Sequence, residues 1–140
     1  MKMLFIHCSH FSYLTTKATQ ISEDIQDGCK SCALKDVLVI FITTEKYDIK
    51  NSEKIIEKSI EEINIMTKRL GVNNLAIFPF AHLSEETSNP YISNKIIKEL
   101  YKRIKSRGYS VDKVPFGWEK IFSLTSKGHP LSESLRTIKP

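Results

Sequence analysis

Cysteine and long apolar runs are both scarce in this chain, and each shortage excludes a class of protein. Three cysteines in 140 residues are an odd number, which argues against the disulfide framework of small secreted domains. No apolar run approaches the roughly 20 residues of a membrane span. The opening segment, Met1 to His7, carries a single lysine and is too short for a signal-peptide core. A cytoplasmic protein is the expectation. Internal repeats and low-complexity tracts are missing, as are the GxSxG elbow, the Walker phosphate loop and GxGxxG. Cys29-Lys30-Ser31-Cys32 is a lone CxxC. A zinc site would need further ligands, with Cys8 and His10 as the candidates. With one paired motif where two are usual, the thiols read as incidental, and neither metal nor cofactor is expected.

What remains describes one ordinary domain spanning residues 1–140. Hydrophobic residues make up 41% and charged residues 26%, enough for one core. The formal charge of +5 and a pI near 9.1 favour an anionic partner, with RNA the natural one. The positive charge is spread along two helical stretches without a dense arginine patch.

Periodicity gives the elements. Met3 to Cys8 reads as a short strand, and Phe11 to Lys30 as an irregular excursion with one helical turn after Ser22. Val37 to Ile42 is a continuous apolar, mostly β-branched run, so Asp36 to Thr44 is a strand buried on both faces. Asn51 to Leu70 is the clearest helix: Ile55, Ile56, Ile60 and Ile63 share a face, Asn51 or Ser52 caps the start, and Gly71 ends it. Leu75 to Phe80 is a strand, Ser93 to Arg107 a helix, and Tyr109 to Val114, Trp118 to Ser126 and Ser134 to Ile138 are further strands. The order predicts an α/β sandwich, a sheet with two main helices over one face. The ending at Ile138-Lys139-Pro140 reads as a domain cut from a longer polypeptide at a linker.

Three short stretches place polar side chains beside Pro or Gly, residues that fix sharp local geometry. They are Pro79-Phe80-Ala81-His82-Leu83-Ser84, Pro115-Phe116-Gly117-Trp118-Glu119-Lys120 and Lys127-Gly128-His129-Pro130-Leu131. His82 follows the C-terminal end of a buried strand, where sites gather in α/β proteins, though a histidine there can also cap a turn. Lys120 opens a strand; alternation turns it inward and Glu119 outward. Read alone, most lysines and the carboxylate of Glu133 are solvated surface groups, His129 is a turn residue and His7 a satisfied core histidine.

With Leu4-Phe5-Ile6-His7, the order and spacing of these stretches resemble the N-terminal editing domain of archaeal threonyl-tRNA synthetase, a fold related to the D-aminoacyl-tRNA deacylases. The resemblance covers nearly the whole chain. Two departures stand out: Glu119 replaces the family's usual tyrosine, and Cys8-Ser9-His10 stands where Ser-Asp-Tyr is common. The resemblance implies hydrolysis of seryl-tRNA(Thr), with Lys120 and His82 catalytic. It also implies substrate-binding roles for Glu133, Pro79, Phe80, Ala81, Phe116 and Gly117, with Glu133 in the pocket near the α-amino group. The ribose 2′-hydroxyl would help water attack. The implied partners are the acceptor end of tRNA(Thr), a second copy of the chain and a synthetase body in cis or trans. Two alternatives stay open: a non-catalytic tRNA-binding module, and a free-standing D-aminoacyl-tRNA deacylase.

Overall fold

The first strand is more than twice as long as its apolar start suggests. A computed structural model describes residues 1–25 and 30–140, so Cys29 of the CxxC lies outside the described residues. In it β1 spans Lys2–Lys17. The sequence reading stopped this strand at Cys8 because the alternation changes phase there. Leu4, Ile6 and Cys8 lie on one face, and Phe11 and Tyr13 continue that same face after one extra residue. Pairing with β5 (Glu119–Ser126) shifts register by one between Cys8 and His10, which marks a β-bulge at Ser9. A bulge bends the strand and strengthens its twist.

The same phase change occurs in β2 (Ser31–Thr43), which begins five residues before the predicted strand. Cys32 and Leu34 share a face with Val37, Val39 and Phe41. The extra residue is Asp36, at φ 48°, opposite Ser9 in the β1–β2 register. Aspartate tolerates this left-handed conformation better than most residues. Its carboxylate pairs with Lys127 at 2.8 Å.

The remaining elements are a 3₁₀ turn (Lys46–Asn51), α1 (Ser52–Leu70), β3 (Asn74–Pro79), α2 (Pro90–Ser106), β4 (Ser110–Lys113) and β6 (Glu133–Thr137). Gly71, at φ 65°, closes α1 by donating its N–H to the Thr67 carbonyl. α2 starts three residues before the predicted Ser93, because Asn89 caps it and Pro90 occupies its first turn. The sheet runs β4-β3-β2-β1-β5, and β6 pairs with the early half of β1. Among the described residues, the stretch after Ser22 is not helical, and no helix is long and apolar enough to cross a membrane.

Both helices cover one face of the sheet, as the pattern predicts. Met3, Phe5, Leu38, Ile40, Leu75 and Ile77 meet Ile56, Ile63, Ile97 and Leu100 there. The other face buries itself. Bent at Ser9 and Asp36, the far halves of β1, β2 and β5 curl over the concave side until Phe11 and Phe122 reach Phe78 on β3, with ring centroids 6.1 and 4.9 Å away. In a flat sheet β5 and β3 would stand about 14 Å apart, three strand spacings.

The chain start is locked into this frame. The Met1 ammonium is fully buried and donates to Asp48 Oδ1 at 2.8 Å, Glu45 Oε2 at 3.0 Å and the Ile138 carbonyl at 3.1 Å. At the other end of the sheet, Leu131 N–H donates to His129 Nδ1, so the proton of that ring sits on Nε2 and is donated to His7 Nδ1 at 2.9 Å.

Candidate functional site

The curl encloses a cavity of about 700 Å³ at the C-terminal ends of β2 and β3. Its floor is Ile42 to Thr44 and Phe78 to Ala81; the first turns of α2 form one wall and the start of β5 the opposite one. A strap formed by Thr19 to Glu23 crosses the Phe116-Gly117-Trp118 corner and completes the rim. The rings of Phe78, Phe80 and Phe122 make much of the lining apolar, the usual setting in which a few polar groups fix a ligand's orientation.

Lys120 enters from β5. Its Nζ stands 5.2 Å from the centroid of the Phe78 ring, a cation–π arrangement. The side chain is half-buried while Glu119 is exposed, the orientation that strand alternation predicts. Burial, then the like charge of Lys113, holds the Lys120 ammonium below the ordinary lysine range, and Glu23 opposes them. A lysine so placed parts with its proton more readily than a surface lysine.

His82 lies on the exposed loop after β3, its ring edge-on to Phe80 at 4.9 Å between centroids. That loop is held from below. Thr43 Oγ1 donates to the Phe80 carbonyl and accepts from Leu83 N–H at 3.3 Å. Ser84 Oγ donates to Glu45 Oε1 at 2.7 Å, so the carboxylate that binds the chain's amino terminus also anchors the cavity loop.

The strap is fixed more tightly still. Thr19 Oγ1 and Ser22 Oγ donate to the Gly117 carbonyl at 2.5 and 3.1 Å. Glu23 N–H donates to the Phe116 carbonyl at 3.0 Å, and Trp118 Nε1 donates to the Glu23 carbonyl at 2.7 Å. Gly117 sits at φ 78°, and a Cβ there would meet the Ile21 carbonyl carbon at 2.7 Å. Only glycine fits both the conformation and the space.

The structure therefore brings together Pro79, Phe80, Ala81, His82, Phe116, Gly117 and Lys120. It does not bring Glu133. That residue is exposed, starts β6 opposite Ile6, and accepts from Ser126 Oγ at 2.5 Å. Ser126 is six residues beyond Lys120 on β5, about 20 Å along a strand. Within this chain, Glu133 stands at the far end of the sheet from the cavity, because β6 extends β5 along the same edge of β1.

Sequence reasoning missed the strap, Glu23 and a buried hydroxyl triangle in the cavity wall. Thr44 bonds to both Ser88 (2.8 Å) and Ser93, and Ser88 to Ser93 at 2.6 Å. Single hydroxyls in a loop and a helix start give no periodic signal. Only the Asn89-Pro90 helix entry could have pointed to Ser93.

Among the described residues no three His, Cys, Asp or Glu side chains stand together to hold an ion. Cys8 is buried on β1, its thiol pushed up to about 11 by burial and then by Glu133.

Residues 1–138 match the model of the archaea-specific editing domain of threonyl-tRNA synthetase. The chain is 42% identical to the threonine–tRNA ligase of Pyrococcus furiosus over all of its length and 23% of that protein's. It is 43% identical to that of Methanosphaera stadtmanae over 99% of the chain and 22% of the relative, and 38% identical to that of Methanosarcina barkeri, again over 22% of the relative. It thus spans under a quarter of the length of these ligases. A family match over residues 1–138 means that this chain belongs to the archaea-specific editing-domain family of threonyl-tRNA synthetase.

Proposed function

We propose that this domain hydrolyses mischarged tRNA, releasing L-serine from tRNA(Thr). The observation that carries the reading is Lys120: an ammonium held over an aromatic ring, inside a cavity walled by two rigid backbone corners, in a chain of an editing-domain family. The need for a second site follows from size. Serine lacks one methyl group of threonine, and a methyl is worth only about 1–3 kcal/mol of discrimination in a binding pocket.

Water attacks the ester carbonyl, a C–O bond forms, and negative charge grows on the carbonyl oxygen. Lys120 stabilises that charge in a partly desolvated setting, where a fixed donor is most effective. The tetrahedral intermediate collapses, the bond to the terminal ribose breaks, and serine leaves as the acid while the ribose oxygen takes a proton. The neighbouring 2′-hydroxyl orients the water, which suits a cavity whose described lining residues include no Ser-His-Asp set. His82 at the rim and the backbone of Pro79 to Ala81 and Phe116 to Gly117 hold the aminoacyl group. The synthetase body, in cis or trans, supplies the charged tRNA. A second copy of the chain would cover exposed apolar side chains such as Leu135, which is 54% exposed, and Glu133, two residues before it on β6, then lies close to that contact.

Single-turnover deacylation tests the proposal. Without added metal, seryl-tRNA(Thr) should be cleaved at least about tenfold faster than threonyl-tRNA(Thr). Equal rates would overturn the assigned specificity. Cleavage of D-aminoacyl-tRNA alone would make the domain a D-amino-acid deacylase, and binding without cleavage a tRNA-binding module.

A further inference from the structure

Glu23 is buried at the junction of three elements, and the chemistry proposed above gives it no part. Its side chain is only 8% exposed. The carboxylate faces Lys113 on β4 and Lys98 on α2, the latter at 3.3 Å, and accepts from Phe116 N–H at 2.8 Å. A buried carboxylate persists only when its partners compensate for the lost water. Burial opposes its ionisation, yet Lys113, Phe116 N–H and Lys98 together hold it below the ordinary carboxylate range. Glu23 is therefore an anion fixed behind the strap and the Phe116–Trp118 corner that border the cavity.

Its backbone grips the same corner. Glu23 N–H and carbonyl bond to Phe116 and to the Trp118 indole. Two residues beyond Trp118 comes Lys120. The charged groups that act on Lys120 are Lys113, which repels it, and Glu23, which attracts it. Glu119, next in the strand, faces solvent, and His82 stands at the rim of the cavity. Remove the charge of Glu23 and the repulsion of Lys113 on the half-buried Lys120 loses the attraction that opposes it.

We propose that Glu23 is a positioning residue of the cavity: it clamps the Phe116–Trp118 corner and offsets the charge of Lys113, so that the Lys120 ammonium stays in place to act. The inference rests on Lys120 acting in the cavity, as proposed above.

The test is Glu23→Gln, which keeps the size and an acceptor for Phe116 N–H but removes the charge. Single-turnover hydrolysis of seryl-tRNA at pH 7.5 should slow about tenfold, and the alkaline limb of the pH–rate profile should move down by about one pH unit, the scale of losing one close opposite charge. The Kd for tRNA should change less than about twofold. Adding Lys113→Met should return the limb toward its original position, because the repelling charge leaves too; a mere brace would give no such rescue. NMR titration of the Lys120 side chain, assigned with Lys120→Arg, reads the same coupling without any reaction. A slower Glu23→Gln enzyme with an unmoved limb and an unmoved Lys120 titration would overturn the proposal. If the wild-type domain cleaves no seryl-tRNA, the assigned reaction fails, and the titration still decides whether Glu23 acts on Lys120. If Glu23→Gln does not fold, Lys113→Met alone must raise the Lys120 titration midpoint, and an unchanged midpoint overturns the coupling.

Discussion

Gly117→Ala is the sharpest test of how the cavity is built. Gly117, Gly71 and Gly128 sit at φ 78°, 65° and 74°. Placing an L-residue in this conformation costs about 1 kcal/mol. At Gly71 and Gly128 an added Cβ finds nothing within 4 Å, so that cost stands alone. At Gly117 the Cβ meets the backbone of Ile21 at 2.7 Å and of Ser22 at 2.9 Å. The strap must lift, and it is held by five hydrogen bonds to the corner: Thr19 and Ser22 to the Gly117 carbonyl, Glu23 N–H to the Phe116 carbonyl, Phe116 N–H to the Glu23 carboxylate, and Trp118 to the Glu23 carbonyl. Losing two of them, at about 1 kcal/mol each, brings the total to about 3 kcal/mol. For a domain of this size that is roughly 10 °C in Tm, against roughly 3–4 °C at the two control glycines. Calorimetry measures the three shifts. The single tryptophan of the chain adds a local readout, since a lifted strap frees its indole N–H and should red-shift its emission. Three equal Tm losses with unchanged emission would refute the claim that the strap is pressed onto Gly117.

Other consequences follow from single groups. Lys120→Met keeps the bulk and removes the charge, so single-turnover cleavage of seryl-tRNA should fall roughly 10²–10³-fold with tRNA binding little changed; an unchanged rate removes Lys120 from the mechanism. Asp48→Asn leaves the buried Met1 ammonium without its nearer carboxylate and should cost about 3–5 kcal/mol in urea unfolding; a loss under about 1 kcal/mol would show that Glu45 suffices. His7 is held below its ordinary value of 6.5 by burial, then by Lys127 and His129. The unfolded chain therefore binds the proton more readily, and stability should fall as pH drops below 6.5, levelling off beneath the folded value. His7→Phe should flatten that slope between pH 7 and 5, and an equally steep slope would place the titrating group elsewhere.

The helices and the core strands were legible because their patterns are local. Ile55, Ile56, Ile60 and Ile63 recur at helical spacing, and Val37 to Ile42 is apolar without interruption. The second half of β1 was not legible, because one bulged residue at Ser9 breaks the two-residue period on which strand reading depends. The Pro and Gly corners announced most of the cavity, since their backbone geometry is written in their residue types. Glu23 and the hydroxyls of Thr44, Ser88 and Ser93 were invisible: their partners lie 5 to 95 residues away along the chain, and nothing in a short window records such contacts. Glu133 illustrates the reverse case. Its position in the family pattern suggested a pocket residue, and the course of β6 along β1 puts it elsewhere.

The paired irregularities at Ser9 and Asp36 separate folding from site assembly. Each adds one residue to its strand, and they stand opposite each other in register. Deleting both together would leave every remaining β1–β2 partner matched, and regular alternation would still send Phe11, Tyr13, Cys32 and Leu34 to the face they occupy now. The core sequence would be intact, but the strands would run straight, and β5 would no longer be carried across to β3. Such a shortened chain should keep its secondary structure and most of its stability while Lys120 swings off the ring of Phe78. Changes of length that surface loops tolerate easily are therefore decisive at two positions remote from the cavity, and related chains can tune the width of their pocket there without altering a residue that lines it.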